Sequence, residues 1–150
     1  MATRGIVAER LPDGGWQGRY VHWDNYPERI TQILGYLVER DGVAQVQETI
    51  IRNNAEWSVL DPFMSTENKK VYPQEAVVDG YGIIYPESDI NNPRHLFRNT
   101  DSDSAWCEYL YIIDAHDLEV HQIVGNNGDQ PIQTTFIGGH LWKNLIPSGV

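Results

Sequence analysis

A single cysteine, Cys107, stands among the 150 residues, so no disulfide can close within the chain and no multi-cysteine zinc module can form. The expected setting is therefore a reducing one. No stretch approaches the ~18 uninterrupted apolar residues that a membrane span needs. The opening MATRGIVAERLPDGG also lacks a basic segment followed by a long apolar run. A cytoplasmic chain with no membrane partner is the expectation. Positive charge is scarce as well: 11 Lys and Arg face 21 Asp and Glu, a net charge of −10. Such a surface repels phosphate backbones, so nucleic acid is not an expected partner. A nucleic-acid mimic would need its acids along one face, whereas here they scatter through segments such as PESDINN and NTDSDS. Missing too are a GxxxxGK[ST] phosphate loop, a Rossmann glycine fingerprint and a GxSxG elbow.

What is present fits one α+β domain over residues 1–150. Residues 3–9 and 17–23 flank the turn LPDGG and predict a β-hairpin. Pro27 ends that pattern. PERITQILGYLVER then sets Ile30, Ile33, Leu34, Leu37 and Val38 on one helical face, with Pro27 suited to the first turn. Asp41-Gly42 breaks the helix, and VAQVQETIIRNN predicts a second one that folds back as a helical hairpin. Residues 61–73 and 87–104 read as long loops around a short strand at 81–85. WCEYLYIID and LEVHQIV predict a second β-hairpin turned at AHD, with Cys107, Tyr109, Tyr111 and Ile113 sharing a face. GNNGD marks a further turn, and PIQTTFI an edge strand. Gly80, Gly82, Gly138 and Gly139 read as turn glycines. The expected architecture is an antiparallel sheet, built from an N-terminal hairpin and a C-terminal hairpin or meander, packed against a helical hairpin.

The densest chemistry lies in RYVHWDNYP, residues 19–27. Strand alternation would point His22 and Asp24 one way and Arg19 and Trp23 the other. A His-x-Asp pair at a strand end can bind a metal, orient an imidazole for acid/base work, or form a plain hydrogen bond. A structural reading competes: Asp24 and Asn25 precede Pro27 and could cap the helix, with Arg4 pairing with Asp24. A second pair of like spacing, Asp114 and His116, makes a weak alternative metal set with His22 and Asp24. No cofactor is expected. Cys107 sits in an aromatic strand, where an inert thiol is the usual case. Trp16, Trp23, Tyr26, Trp57, Tyr81, Tyr85 and Trp106 could stack on a flat ligand, with Arg4 and Arg19 reaching phosphate or carboxylate, although most such rings serve a core.

Met-x-Thr-Arg at positions 1–4, Tyr20-x-His22-Trp23-Asp24-x-Tyr26-Pro27, Glu56-Trp57-Ser58 and Trp106-x-Glu108-Tyr109-x-Tyr111-x-x-Asp114 together resemble a group of small proteins of tailed phages and prophages, including those of actinobacteria. That group often carries Gly where this chain has Asn25, and small residues at Arg29 and Ile30. The resemblance implies a phage-encoded accessory protein in the host cytoplasm. Such a protein would bind and sequester a host protein or a small signalling ligand such as a nucleotide, through Arg4, Arg19, His22, Trp23, Asp24 and Tyr26. Two alternatives stand beside it. One is a small hydrolase, metal-dependent or not, using His22 and Asp24; the other is a virion or assembly component that self-associates through the edge strand at 132–137 and the acidic loops.

Overall fold

Strict alternation of side chains builds the first hairpin of the structure, a computed structural model that describes residues 3–65, 67, 74–124 and 131–145. β1 (Gly5–Arg10) and β2 (Trp16–Val21) run antiparallel, Gly5 opposite Val21 and Arg10 opposite Trp16. Ile6 and Ala8 point to one side of the sheet and Val7 to the other, so both sides of β1 are buried.

α1 (Pro27–Asp41) starts at Pro27 and buries Ile30, Ile33, Leu34 and Leu37, the face predicted from their spacing. Gly42 ends it in a left-handed conformation (φ 86°), its N–H bonded to the Val38 carbonyl. α2 (Val43–Gln47) follows and widens into a π-helical turn, Glu48–Arg52. The predicted second helix therefore exists but changes pitch. The wider turn lets the consecutive Ile50 and Ile51 both be buried, which a regular helix of one apolar stripe accommodates poorly.

β3 (Trp57–Leu60), β4 (Val77–Val78), β5 (Gly82–Ile84), β6 (Phe97–Arg98), β7 (Tyr109–Ile113), β8 (Leu118–Val124) and β9 (Gln133–His140) complete the sheet. Among the described residues the strand order is β4-β5-β3-β2-β1-β7-β8-β9, with β6 added beside β2. This is an α+β fold on a mostly antiparallel sheet. Two joins are parallel, β1 with β7 and β2 with β3. Parallel pairing needs a long return, and the helical segment between β2 and β3 supplies it. No helix among the described residues is long and apolar enough to cross a membrane.

The helices cover one side of the sheet, where Val7, Val21, Trp57, Tyr111, Ile113 and Val120 meet Ile30, Leu34, Leu37 and Ile50. The opposite side gathers Ile6, Ala8, Trp16, Cys107, Leu110, Ile112, Ile123 and Ile132, with Tyr20 and Phe97 packed against them. Cys107 thus joins Leu110 and Ile112 rather than Tyr109 and Tyr111. The expected alternation does not reach Cys107 because β7 begins only at Tyr109; just upstream, Ala105 and Trp106 take left-handed conformations (φ 52° and 64°). Gly138 and Gly139, expected in a turn, lie inside β9 opposite Val120 and Glu119. A Cβ on Gly139 would come within 2.4 Å of Asp117 Oδ2, so a side chain there would require the Asp117 carboxylate to move. The turn predicted at GNNGD and part of the loop predicted at 61–73 lie outside the described residues.

Candidate functional site

β2 ends at Val21, but its pairing direction persists for two residues: the His22 and Trp23 amides bond to the Trp57 and Ser58 carbonyls. Asp24 then turns left-handed (φ 61°), and the Asn25 amide bonds to the Thr3 carbonyl. The left-handed turn falls on Asp24 and not on Asn25. Alternation therefore stops at Trp23, and the structure shows no hydrogen bond between the His22 and Asp24 side chains.

Asn25 is fully buried and its Nδ2 donates to three carbonyls, those of Val21 (2.8 Å), Thr3 (2.9 Å) and Trp23 (3.2 Å). The Tyr111 hydroxyl in turn donates to the Asn25 carbonyl. The helix cap expected of Asp24 and Asn25 does not form: Tyr26 is the N-cap, with no side-chain bond, and its carbonyl receives the Arg29 and Ile30 amides. Pro27 at the first helical position leaves one fewer amide to satisfy. Asn25 acts instead as an internal tie between the end of β2 and the start of the chain.

Arg4 pairs with Tyr20 rather than with Asp24. Its Nε donates to the Tyr20 hydroxyl (3.1 Å), which lies 2.5 Å from His22 Nδ1. Burial, then the Arg4 charge, holds the His22 imidazole below its ordinary range. Burial is also the main cause that pushes the Tyr20 phenol up to about 12. A neutral imidazole and an un-ionised phenol give one consistent direction of donation, from Arg4 to Tyr20 to His22 Nδ1. His22 Nε2 then carries the proton. Trp23 packs edge-on against His22, with ring centroids 4.6 Å apart, and both Trp23 and Tyr26 are 43% exposed.

Tyr20 also forms one wall of a cleft of about 570 Å³, completed by Glu56, Pro93, Arg94, Leu96, Phe97, Asp101, Ser102, Asp103 and Ala105. From sequence, residues 87–104, just short of Ala105, read as a long acidic loop with a role only in the self-association alternative. The only hint was its length and polarity, a pattern that marks loops and functional loops alike.

No family model, curated protein or solved structure matches this chain.

Arg19, proposed from sequence to reach a ligand, is only 4% exposed and turns inward. Its Nε donates to the Ile51 carbonyl (2.6 Å) and its Nη1 to the His95 carbonyl (2.7 Å). It belongs to the support of the cleft and not to its lining. Trp16, Trp57 and Tyr81 are core residues, each at most 5% exposed, whereas Trp106 is 73% exposed.

Asp114 and His116 lie far from His22 and Asp24. Val21 sits opposite Gly5, Gly5 opposite Tyr109, and Asp114 is five residues beyond Tyr109. That separates the pairs by about 20 Å at the usual strand rise. Asp114 instead accepts the His116 amide in a turn, and no group of three or more metal-ligating side chains occurs among the described residues. The Cys107 thiol is buried, which pushes its pKa far above the ordinary thiol range and leaves it a poor nucleophile.

His121 has a different setting, on β8 with Phe136 against its ring and Glu119 Oε1 3.4 Å from Nε2. That carboxylate favours the charged imidazole, yet burial outweighs it and the pKa falls, with Arg10 adding to the decrease. Above the unfolded value of 6.5 both states are neutral; below it the unfolded chain takes the proton first, so stability falls with pH. Urea midpoints at pH 7.5 and 5.0 should drop for the native chain and drop less for His121→Gln. An equal drop in both would assign the acid sensitivity elsewhere.

Proposed function

We propose that the chain is a small ligand-binding protein whose site is the cleft at Tyr20, held in shape by Arg4 and His22. The observation that carries this reading is the double membership of Tyr20: its hydroxyl is engaged by Arg4 and His22 while the residue lines the cleft. A pinned aromatic wall keeps its position before a ligand arrives, which lowers the ordering cost of binding. The hydrolase alternative drew on Asp24 beside His22. Asp24 lies in a left-handed turn, where its carbonyl accepts from Arg29, so His22 takes its orientation from Tyr20 instead.

The resemblance to tailed-phage proteins supports an accessory role, in which a host component or small signalling ligand is bound and sequestered. Native mass spectrometry of the protein from its own host background tests the reading. A discrete added mass is expected on the native chain and is expected to be lost from Tyr20→Ala and from His22→Ala, with folding checked by circular dichroism. Retention of the added mass by both folded variants places the ligand elsewhere.

A further inference from the structure

The cleft lining is chemically lopsided. Three carboxylates, Glu56, Asp101 and Asp103, face one guanidinium, Arg94. Glu56 Oε1 lies 3.3 Å from His95 Nε2, and its charge also acts on the buried Arg19 guanidinium. Asp101 Oδ2 accepts the Arg98 amide and Asp103 Oδ1 accepts the Ala105 amide. Those bonds hold the two carboxylates in place and leave the other oxygen of each as an acceptor.

The remaining walls are aromatic and aliphatic. The Tyr20 and Phe97 rings lie with centroids 6.4 Å apart, tilted by 40°, and Pro93 and Leu96 join them at the cleft. Because the Tyr20 hydroxyl already accepts from Arg4 and meets His22, this residue contributes aromatic surface and no free hydroxyl. Ring faces attract cations through their quadrupole, and carboxylates give the charged hydrogen bonds that orient them. A phosphate in the same space would meet three carboxylates against a single guanidinium.

Resting on the site proposed above, we infer that the cleft takes an organic cation: an ammonium or guanidinium group on an aliphatic stem. The charged head meets Asp101 and Asp103, and the stem lies along Tyr20, Phe97 and Leu96. In this arrangement Arg4 and His22 are positioning residues for the Tyr20 ring.

Two-dimensional amide NMR of the full chain tests the inference with three probes: spermidine, N-acetylarginine amide and AMP. Saturable shifts confined to residues near 20 and 93–105 are expected with the cations. A response to spermidine alone identifies a free amine, and a response to the arginine amide alone identifies a basic side chain. Asp103→Asn keeps the acceptor for the Ala105 amide but removes the charge, and should weaken cation binding about fivefold, as for a partly exposed ion pair. Phe97→Leu should weaken it independently, and dispersed spectra confirm that both variants fold. Cation shifts indifferent to both substitutions overturn the inference. So does AMP moving the cleft amides when the cations do not, an outcome that keeps the site and replaces the ligand class. If no probe moves them, the cation class falls, and the site is then judged by the added mass and its loss from the Tyr20 and His22 variants.

Discussion

Asn25→Asp is expected to destabilise the fold by about 3 kcal/mol or more at pH 7, although the two side chains have nearly the same shape. The amide nitrogen of Asn25 donates to the Thr3, Val21 and Trp23 carbonyls in a fully buried site. A carboxylate there would set an oxygen and a negative charge against three carbonyl oxygens. The substituted side chain avoids this by holding a proton, so its folded pKa rises above the unfolded value. A raised pKa contributes stability at low pH and loses it as pH rises, the reverse of the usual aspartate case. The variant's deficit should therefore shrink between pH 7 and pH 4.5, measured as the difference in urea midpoint from the native chain at each pH. A deficit that is small, or constant across that range, would show that Asn25 does not serve as a buried donor.

Arg19→Ala carries the second large effect, and it joins stability to the site. The Arg19 guanidinium is buried, with its pKa lowered by that burial and partly restored by the charge of Glu56. It spans from the Ile51 carbonyl, in the π-helical turn, to the His95 carbonyl, next to the cleft wall. Truncation leaves both carbonyls without this donor and opens a void, for an expected loss of about 3 kcal/mol. Arg19→Lys should recover only part of it, since a single ammonium cannot reproduce a planar fork that reaches two separated acceptors. Amide exchange at residues 93–98 should accelerate in both variants, because that segment loses its tie to the helices. Unchanged exchange there, or a loss below about 1 kcal/mol, would mean that Arg19 fills space without holding the cleft.

Helix α1 was legible because its signal is local: a proline at the start, four buried residues at helical spacing, and a left-handed glycine at the end. Both hairpins were legible for the same reason. The corner was legible as a place but not as a mechanism. Alternation set His22 beside Asp24, and one left-handed residue, Asp24, sent the chain another way. Arg19 read as a ligand contact, because alternation gives a side of the strand without saying that the Ile51 carbonyl lies above it. Cys107 changed sides because β7 begins only at Tyr109, so strand alternation does not reach back to it.

By itself, then, the sequence determined the elements, the mainly antiparallel α+β class, the acidic surface and the absence of internal disulfides. Those properties depend on neighbours within a few positions or on sums over the chain. Only the tertiary structure decided that Tyr20, Glu56 and residues 93–105 share a cleft, that Arg19 supports it from within, and that Asn25 ties rather than caps. Those outcomes depend on which carbonyl or ring arrives from far along the chain, and packing settles that only when the sheet and helices close around it.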